Sequence, residues 1–96
     1  MLMLVTYDVS TQDAAGRRRL RRVARSCLDY GQRVQNSVFE CEVDGAQWAT
    51  LRATLLAEID PDHDSLRFYA LGAKGRAKVE HIGAKLTRDL TAAFIV

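Results

Sequence analysis

Apolar residues fall along this chain either in short continuous runs or in stripes at helical spacing. Residues 2–9, Leu-Met-Leu-Val-Thr-Tyr-Asp-Val, make a short run rich in strand formers that closes near an acid. Such a run predicts a buried central strand. Ser10, Thr11 and Asp13 then supply helix-start chemistry. Leu20, Val23, Ala24, Cys27 and Leu28 follow at i, i+3, i+4, i+7 and i+8, one stripe of a helix, and Gly31 marks its stop. Residues 33–43, Arg-Val-Gln-Asn-Ser-Val-Phe-Glu-Cys-Glu-Val, read as one long strand. Asp44 with Gln47 three positions on is a variant capping box, and Trp48, Leu51, Leu55 and Ile59 give a second helical stripe. Residues 60–64, Asp-Pro-Asp-His-Asp, read as a solvated turn. Residues 66–71 predict a third strand, 72–78 a basic flexible loop, 79–82 a short fourth strand, and Ala92 to Val96 an apolar tail.

Read directly, the order is β-α-β-α-β-β plus a tail. It fits an α+β ferredoxin-like βαββαβ plait with an extra C-terminal strand if residues 33–43 bend or pair as a hairpin. The order of strands in the sheet is not legible. An apolar tail is an aggregation hazard unless paired. It either closes its own sheet or, as favoured here, residues 84–96 pair with a second subunit. A chain of 96 residues makes one domain, 1–96. Its core is modest, so dimerisation would help it. The apolar start is too short for a signal-peptide core or a membrane span, so the expected location is cytoplasmic with no membrane partner. Cys27 and Cys41 have no metal-ligand or redox-motif spacing and read as two buried thiols.

Charge sharpens this picture. The whole chain is only +2, yet residues 16–35 hold seven arginines and one acid, a local +6 that leaves −4 for the rest. That concentration is an electrostatic footprint for a polyanion, and arginine's planar fork suits phosphate oxygens. Arg18, Arg22 and Arg25 fall roughly opposite the apolar stripe, Arg19 and Arg21 flank it, and Arg17 sits near its edge. Lys74, Arg76 and Lys78 in the 72–78 loop offer a second phosphate contact. A solvated helix face is the plainer alternative, but no acids are interleaved to form i, i+4 pairs.

Asp8 is the sharpest single residue. A carboxylate ending an apolar strand is costly unless it is hydrogen-bonded, paired or bound to a cation. It either caps the next turn or pairs with arginine, or it ligates Mg²⁺. One carboxylate is a poor Mg²⁺ site, but a two-fold axis beside Asp8 would supply a second copy. Arg33, Gln35, Ser37 and Phe39, at alternate positions of the long strand, would share one face. That polar row ending in an aromatic suits phosphate or a partner subunit. His63 and His81 read as structural or solvated. P-loop, dinucleotide, HExxH and nucleophile-elbow motifs are absent from the sequence.

Several stretches resemble the CRISPR-associated protein 2 family: Tyr7-Asp8-Val9-Ser10, the arginine-rich helix, the segment from Asp29 to Cys41, and Asp64-Ser65-Leu66-Arg67-Phe68-Tyr69. Gln32 to Cys41, QRVQNSVFEC, is the most specific part, and the likeness spans nearly the whole chain. The resemblance implies a ferredoxin-like fold in a two-fold homodimer whose C-terminal strand crosses to the partner. It implies a role in CRISPR adaptation, bridging two dimers of the CRISPR integrase (CRISPR-associated protein 1) and holding the DNA that becomes a spacer. It further implies a Mg²⁺-dependent endonuclease acting on RNA or double-stranded DNA, with Asp8 as metal ligand and Arg33, Ser37 and Phe39 as the matching strand positions. The runner-up is a toxin-like endoribonuclease on the same plait with no integrase partner. An RRM-like module would need an aromatic-rich strand pattern that is missing. A small-molecule regulatory plait would leave the arginine row unexplained.

Overall fold

The computed structural model describes residues 1–72 and 77–84. The elements run β1 (Leu2–Asp8), α1 (Ala14–Leu28), β2 (Gly31–Gln35), β3 (Val38–Glu42), α2 (Gly45–Glu58), β4 (Ser65–Leu71) and β5 (Ala77–Gly83). The first six make the βαββαβ plait, and β5 is the additional strand. All pairings are antiparallel and the sheet order is β2-β3-β1-β4-β5.

Sequence chemistry accounts for each element. β1 alternates, with Met3, Val5 and Tyr7 buried beneath the helices. Asp13 caps α1 by accepting from the Gly16 N–H at 2.7 Å. The Asp44 capping box on α2 is complete: its carboxylate accepts from the Gln47 N–H and the Gln47 side chain accepts from the Asp44 N–H. Val23 and Cys27 of α1 and Leu51 and Leu55 of α2 close over Phe39, Cys41, Leu66 and Phe68. Trp48 meets Phe68 edge-on, with ring centroids 4.8 Å apart. Both cysteines are buried and free, and burial pushes the Cys27 thiol up to about 12.

Residues 33–43 are not one strand. Asn36 and Ser37 form a two-residue turn between β2 and β3, so Gln35 faces Val38 and Arg33 faces Phe39. Asn and Ser are turn formers, but without a glycine they did not break the apolar reading of the run. The fourth predicted strand extends to Ala77–Gly83 and takes in the end of the predicted basic loop. Lys74, Arg76 and residues 85–96 lie outside the described residues, and Lys78 is placed by its backbone alone, opposite Ala70. No helix among the described residues is long and apolar enough to cross a membrane.

Candidate nucleic-acid and metal interface

One end of the sheet gathers the polar residues. Asp8 is the last residue of β1, is exposed, and sits opposite Ser65 at the start of β4. On its other flank, the Tyr7 N–H donates to the Ser37 carbonyl at 3.1 Å, which brings the β2–β3 turn alongside. The Arg33 guanidinium donates to the Asn36 carbonyl at 3.3 Å. The Tyr7 hydroxyl donates to the same oxygen at 3.3 Å. Burial pushes the Tyr7 phenol up, and Arg33 partly offsets this. A shallow groove of about 570 Å³ runs along α1, and a second, of about 530 Å³, lies on the turn residues Gln35 to Val38.

Of the strand quartet, Arg33 and Ser37 reach this end, whereas Phe39 does not offer a contact surface. Its ring is fully buried, stacked on Tyr7 at 6.0 Å and overlain by the Arg33 guanidinium at 5.1 Å. Arg33 and Phe39 do share one face, but as cross-strand partners of the hairpin and not as alternate positions of one long strand, while Ser37 belongs to the turn.

The helix arginines divide into two groups. Arg17, Arg18, Arg21, Arg22 and Arg25 are exposed. Arg18, Arg21, Arg22 and Arg25 line the α1 groove with Leu28, at i, i+3, i+4 and i+7. Arg17 folds back toward the Thr11 carbonyl at 3.4 Å. Arg19 is engaged inside the fold. Its Nε donates to Asp64 at 2.8 Å and its terminal NH2 donates to the same carboxylate at 3.3 Å.

Asp64 is where the turn reading is overturned. It is fully buried, not solvated. Besides Arg19, its carboxylate accepts from the Ser10 N–H at 3.0 Å and the Asp60 N–H at 2.9 Å. Burial alone would push this carboxyl up, but Arg19 and the two backbone donors hold it below the ordinary carboxylate value. Asp60 instead pairs on the surface with His63, and that bond raises the histidine. Sequence reasoning missed the Asp64 role because the partner lies 45 residues away. The one local signal is its position directly before a buried strand.

A polar group on the uncovered sheet face was also missed. Arg67 is 7% exposed and donates to His81 Nδ1 at 3.2 Å and to the Tyr69 hydroxyl at 3.4 Å. Because arginine only donates, Nδ1 must accept, which leaves the ring proton of a neutral His81 on Nε2. Nε2 is buried with no hydrogen-bond partner among the described residues. The same face carries Leu2 and Leu4 of β1 and Val79 of β5, in register with Leu71 and Tyr69 of β4.

Among the described residues no three His, Cys, Asp or Glu side chains cluster to hold a metal. A single exposed carboxylate fits Mg²⁺ only in a shared arrangement, since that ion takes one or two carboxylates and fills its octahedron with waters and phosphate. Asp8 would satisfy that requirement only with a second copy alongside it. The Asp64 carboxylate is buried and accepts from Arg19, Ser10 and Asp60.

A family model described as CRISPR associated protein Cas2 matches residues 1–79. The chain is 62% identical over its full length to the whole of a CRISPR-associated endoribonuclease Cas2 from Chlorobaculum tepidum. It is 57% identical over 94% of each chain to a CRISPR-associated endonuclease Cas2 from Halalkalibacterium halodurans. Among solved structures, Cas2 from Streptococcus pyogenes at pH 6.5 superposes with a TM-score of 0.71 at 58% identity, covering 75% of this chain and 87% of that one.

Proposed function

The chain belongs to the CRISPR-associated protein Cas2 family, and from that premise we propose that it acts as a two-fold homodimer that holds DNA for the CRISPR integrase and cleaves phosphodiesters at paired Asp8 residues. The observation that carries the reading is the placement of one exposed carboxylate, Asp8, at the end of the sheet where the arginine helix begins.

The uncovered sheet face supports the dimer. In a two-layer fold the face opposite the helices needs a cover, and here it carries Leu2, Leu4 and Val79, all only partly buried. A second copy laid face to face would bury them and bring two Asp8 carboxylates toward each other. The basic row on each copy would then track phosphates without reading bases. Arg18, Arg21, Arg22 and Arg25 present four forks along one helical face, whereas Arg19 is consumed by Asp64.

For cleavage, Asp8 from both copies would hold Mg²⁺, which when bound polarises a phosphoryl oxygen and lowers the pKa of water. The chain's own part is to fix the carboxylate, to bring Arg33 and Ser37 to the same end, and to anchor the substrate backbone through α1. The names of the relatives include endoribonuclease, so RNA cleavage without an integrase is the second reading.

The test is a mobility-shift titration of a DNA duplex against salt, with and without the integrase, alongside RNA and DNA cleavage by wild type and Asp8→Asn. Salt-steep DNA binding that recruits the integrase, with cleavage lost in Asp8→Asn, is the expected result. A monomer indifferent to DNA at low salt would overturn the scaffold reading. Full cleavage by Asp8→Asn would overturn the metal reading.

A further inference from the structure

The buried Asp64 carboxylate accepts from Arg19, Ser10 and Asp60, and one of these bonds reaches the segment that follows Asp8. Ser10, whose N–H it accepts, lies two residues after Asp8. Ser65, next in the chain to Asp64, is the cross-strand partner of Asp8 in β1–β4. Both chain segments that flank Asp8 are therefore tied to one buried group. The first turn of α1 presses on the same place: a Cβ on Gly16 would lie 1.8 Å from the Ser10 carbonyl oxygen, so only glycine fits. On the far side Gly83, at φ 119°, packs where a Cβ would lie 2.1 Å from the Asp64 carbonyl oxygen. Arg19 neutralises the carboxylate and fixes its plane with two N–H donors.

We propose that Asp64 and Arg19 form a positioning pair for Asp8, clamping the strand end and the following turn so that the exposed carboxylate is presented to a divalent cation in one orientation. This rests on the reading of Asp8 as the metal ligand. A pair that served stability alone would leave metal affinity untouched in the folded protein. A positioning pair changes it, because groups that orient a ligand typically govern affinity by ten- to a hundredfold.

The experiment titrates Mn²⁺, followed by electron paramagnetic resonance, into the folded full-length chain as wild type, Asp8→Asn, Asp64→Asn and Arg19→Lys, at a temperature where Trp48 fluorescence reports each variant as native. Expected are loss of binding in Asp8→Asn, a dissociation constant raised about tenfold in Asp64→Asn, and a smaller rise in Arg19→Lys. If Asp64→Asn does not fold, Arg19→Lys decides alone. Loss of binding in Asp8→Asn, with wild-type affinity in both clamp variants, would overturn the positioning role and leave Asp8 as ligand. Equal binding by wild type and Asp8→Asn would overturn the ligand assignment and the positioning role together.

Discussion

Replacing Arg19 by methionine isolates the energetic side of the Asp64 clamp. Methionine keeps much of the stem and removes the guanidinium, so Asp64 stays fully buried with two backbone donors and no cation. Breaking a buried pair from one side costs about 3–5 kcal/mol, because an uncompensated charge remains. The Ser10 and Asp60 N–H groups retain part of the compensation, which places Arg19→Met near about 3 kcal/mol. At roughly 0.05–0.15 kcal/mol per residue, a domain of this length holds only about 5–14 kcal/mol in all, so the loss is a large share. Urea unfolding followed through Trp48, which packs on Phe68 in the core, reads it at a fixed protein concentration. The pH dependence supplies a second signature. The folded Asp64 carboxyl lies below its ordinary value, so its stabilisation is complete above the ordinary carboxylate range, near about 4. It is lost as pH falls through the lower folded value. Wild type and Arg19→Met therefore converge in acid. Adding Asp64→Asn to Arg19→Met recovers part of the loss, since the stranded charge disappears. A cost below about 1 kcal/mol, the range of an exposed pair, and unchanged between neutral and acid pH, would refute the account.

Phe39→Ala removes a fully buried ring together with its stacking on Tyr7 and Arg33, and lowers unfolding free energy by about 3–5 kcal/mol. Denaturant melts give that value directly, and a loss under about 1 kcal/mol contradicts the core placement. Glutamine at Arg18, Arg21, Arg22 and Arg25 lowers the salt slope of DNA binding by about 0.9 for each phosphate that is no longer neutralised, with the urea midpoint little changed because these side chains lie outside the core. Cys27, with its thiol pushed up to about 12, stays unreactive toward Ellman's reagent in the native protein at mildly alkaline pH and reacts once urea unfolds the chain. Asp44→Ala removes one half of a capping box and costs about 1 kcal/mol in the same melts.

The sequence was most legible where chemistry is local. The β1 apolar run, the α1 stripe and the Asp44–Gln47 cap are each decided by residues within a few positions of one another, and all three elements stand in the structure. The β2–β3 hairpin was less legible because Asn36-Ser37 carries turn chemistry without the glycine that usually announces a two-residue loop. Phe39 looked like a surface aromatic only while the run was read as a single strand; pairing with Val5 and Arg33 sends it into the core. Arg19 and Asp64 were illegible as a pair for a different reason. Their meeting depends on the N-terminal part of α1 lying beside the turn that precedes β4, and no local pattern encodes that approach. Of the arginine row, the charge and the outward phase of Arg18, Arg22 and Arg25 were visible; which member is spent internally is a fact of tertiary structure.

The sheet order carries a consequence for synthesis. β1 is made first, yet it lies between β3 and β4, so both of its hydrogen-bonded neighbours emerge from the ribosome later. Until residue 71 is available, the apolar opening strand has at least one naked edge. Joining it to β4 closes a loop of more than fifty residues, the kind of distant pairing that slows folding and favours sticking to other chains. A nascent chain stalled before β4 would expose that edge, so stalling there should enrich for chaperone-bound and aggregated product.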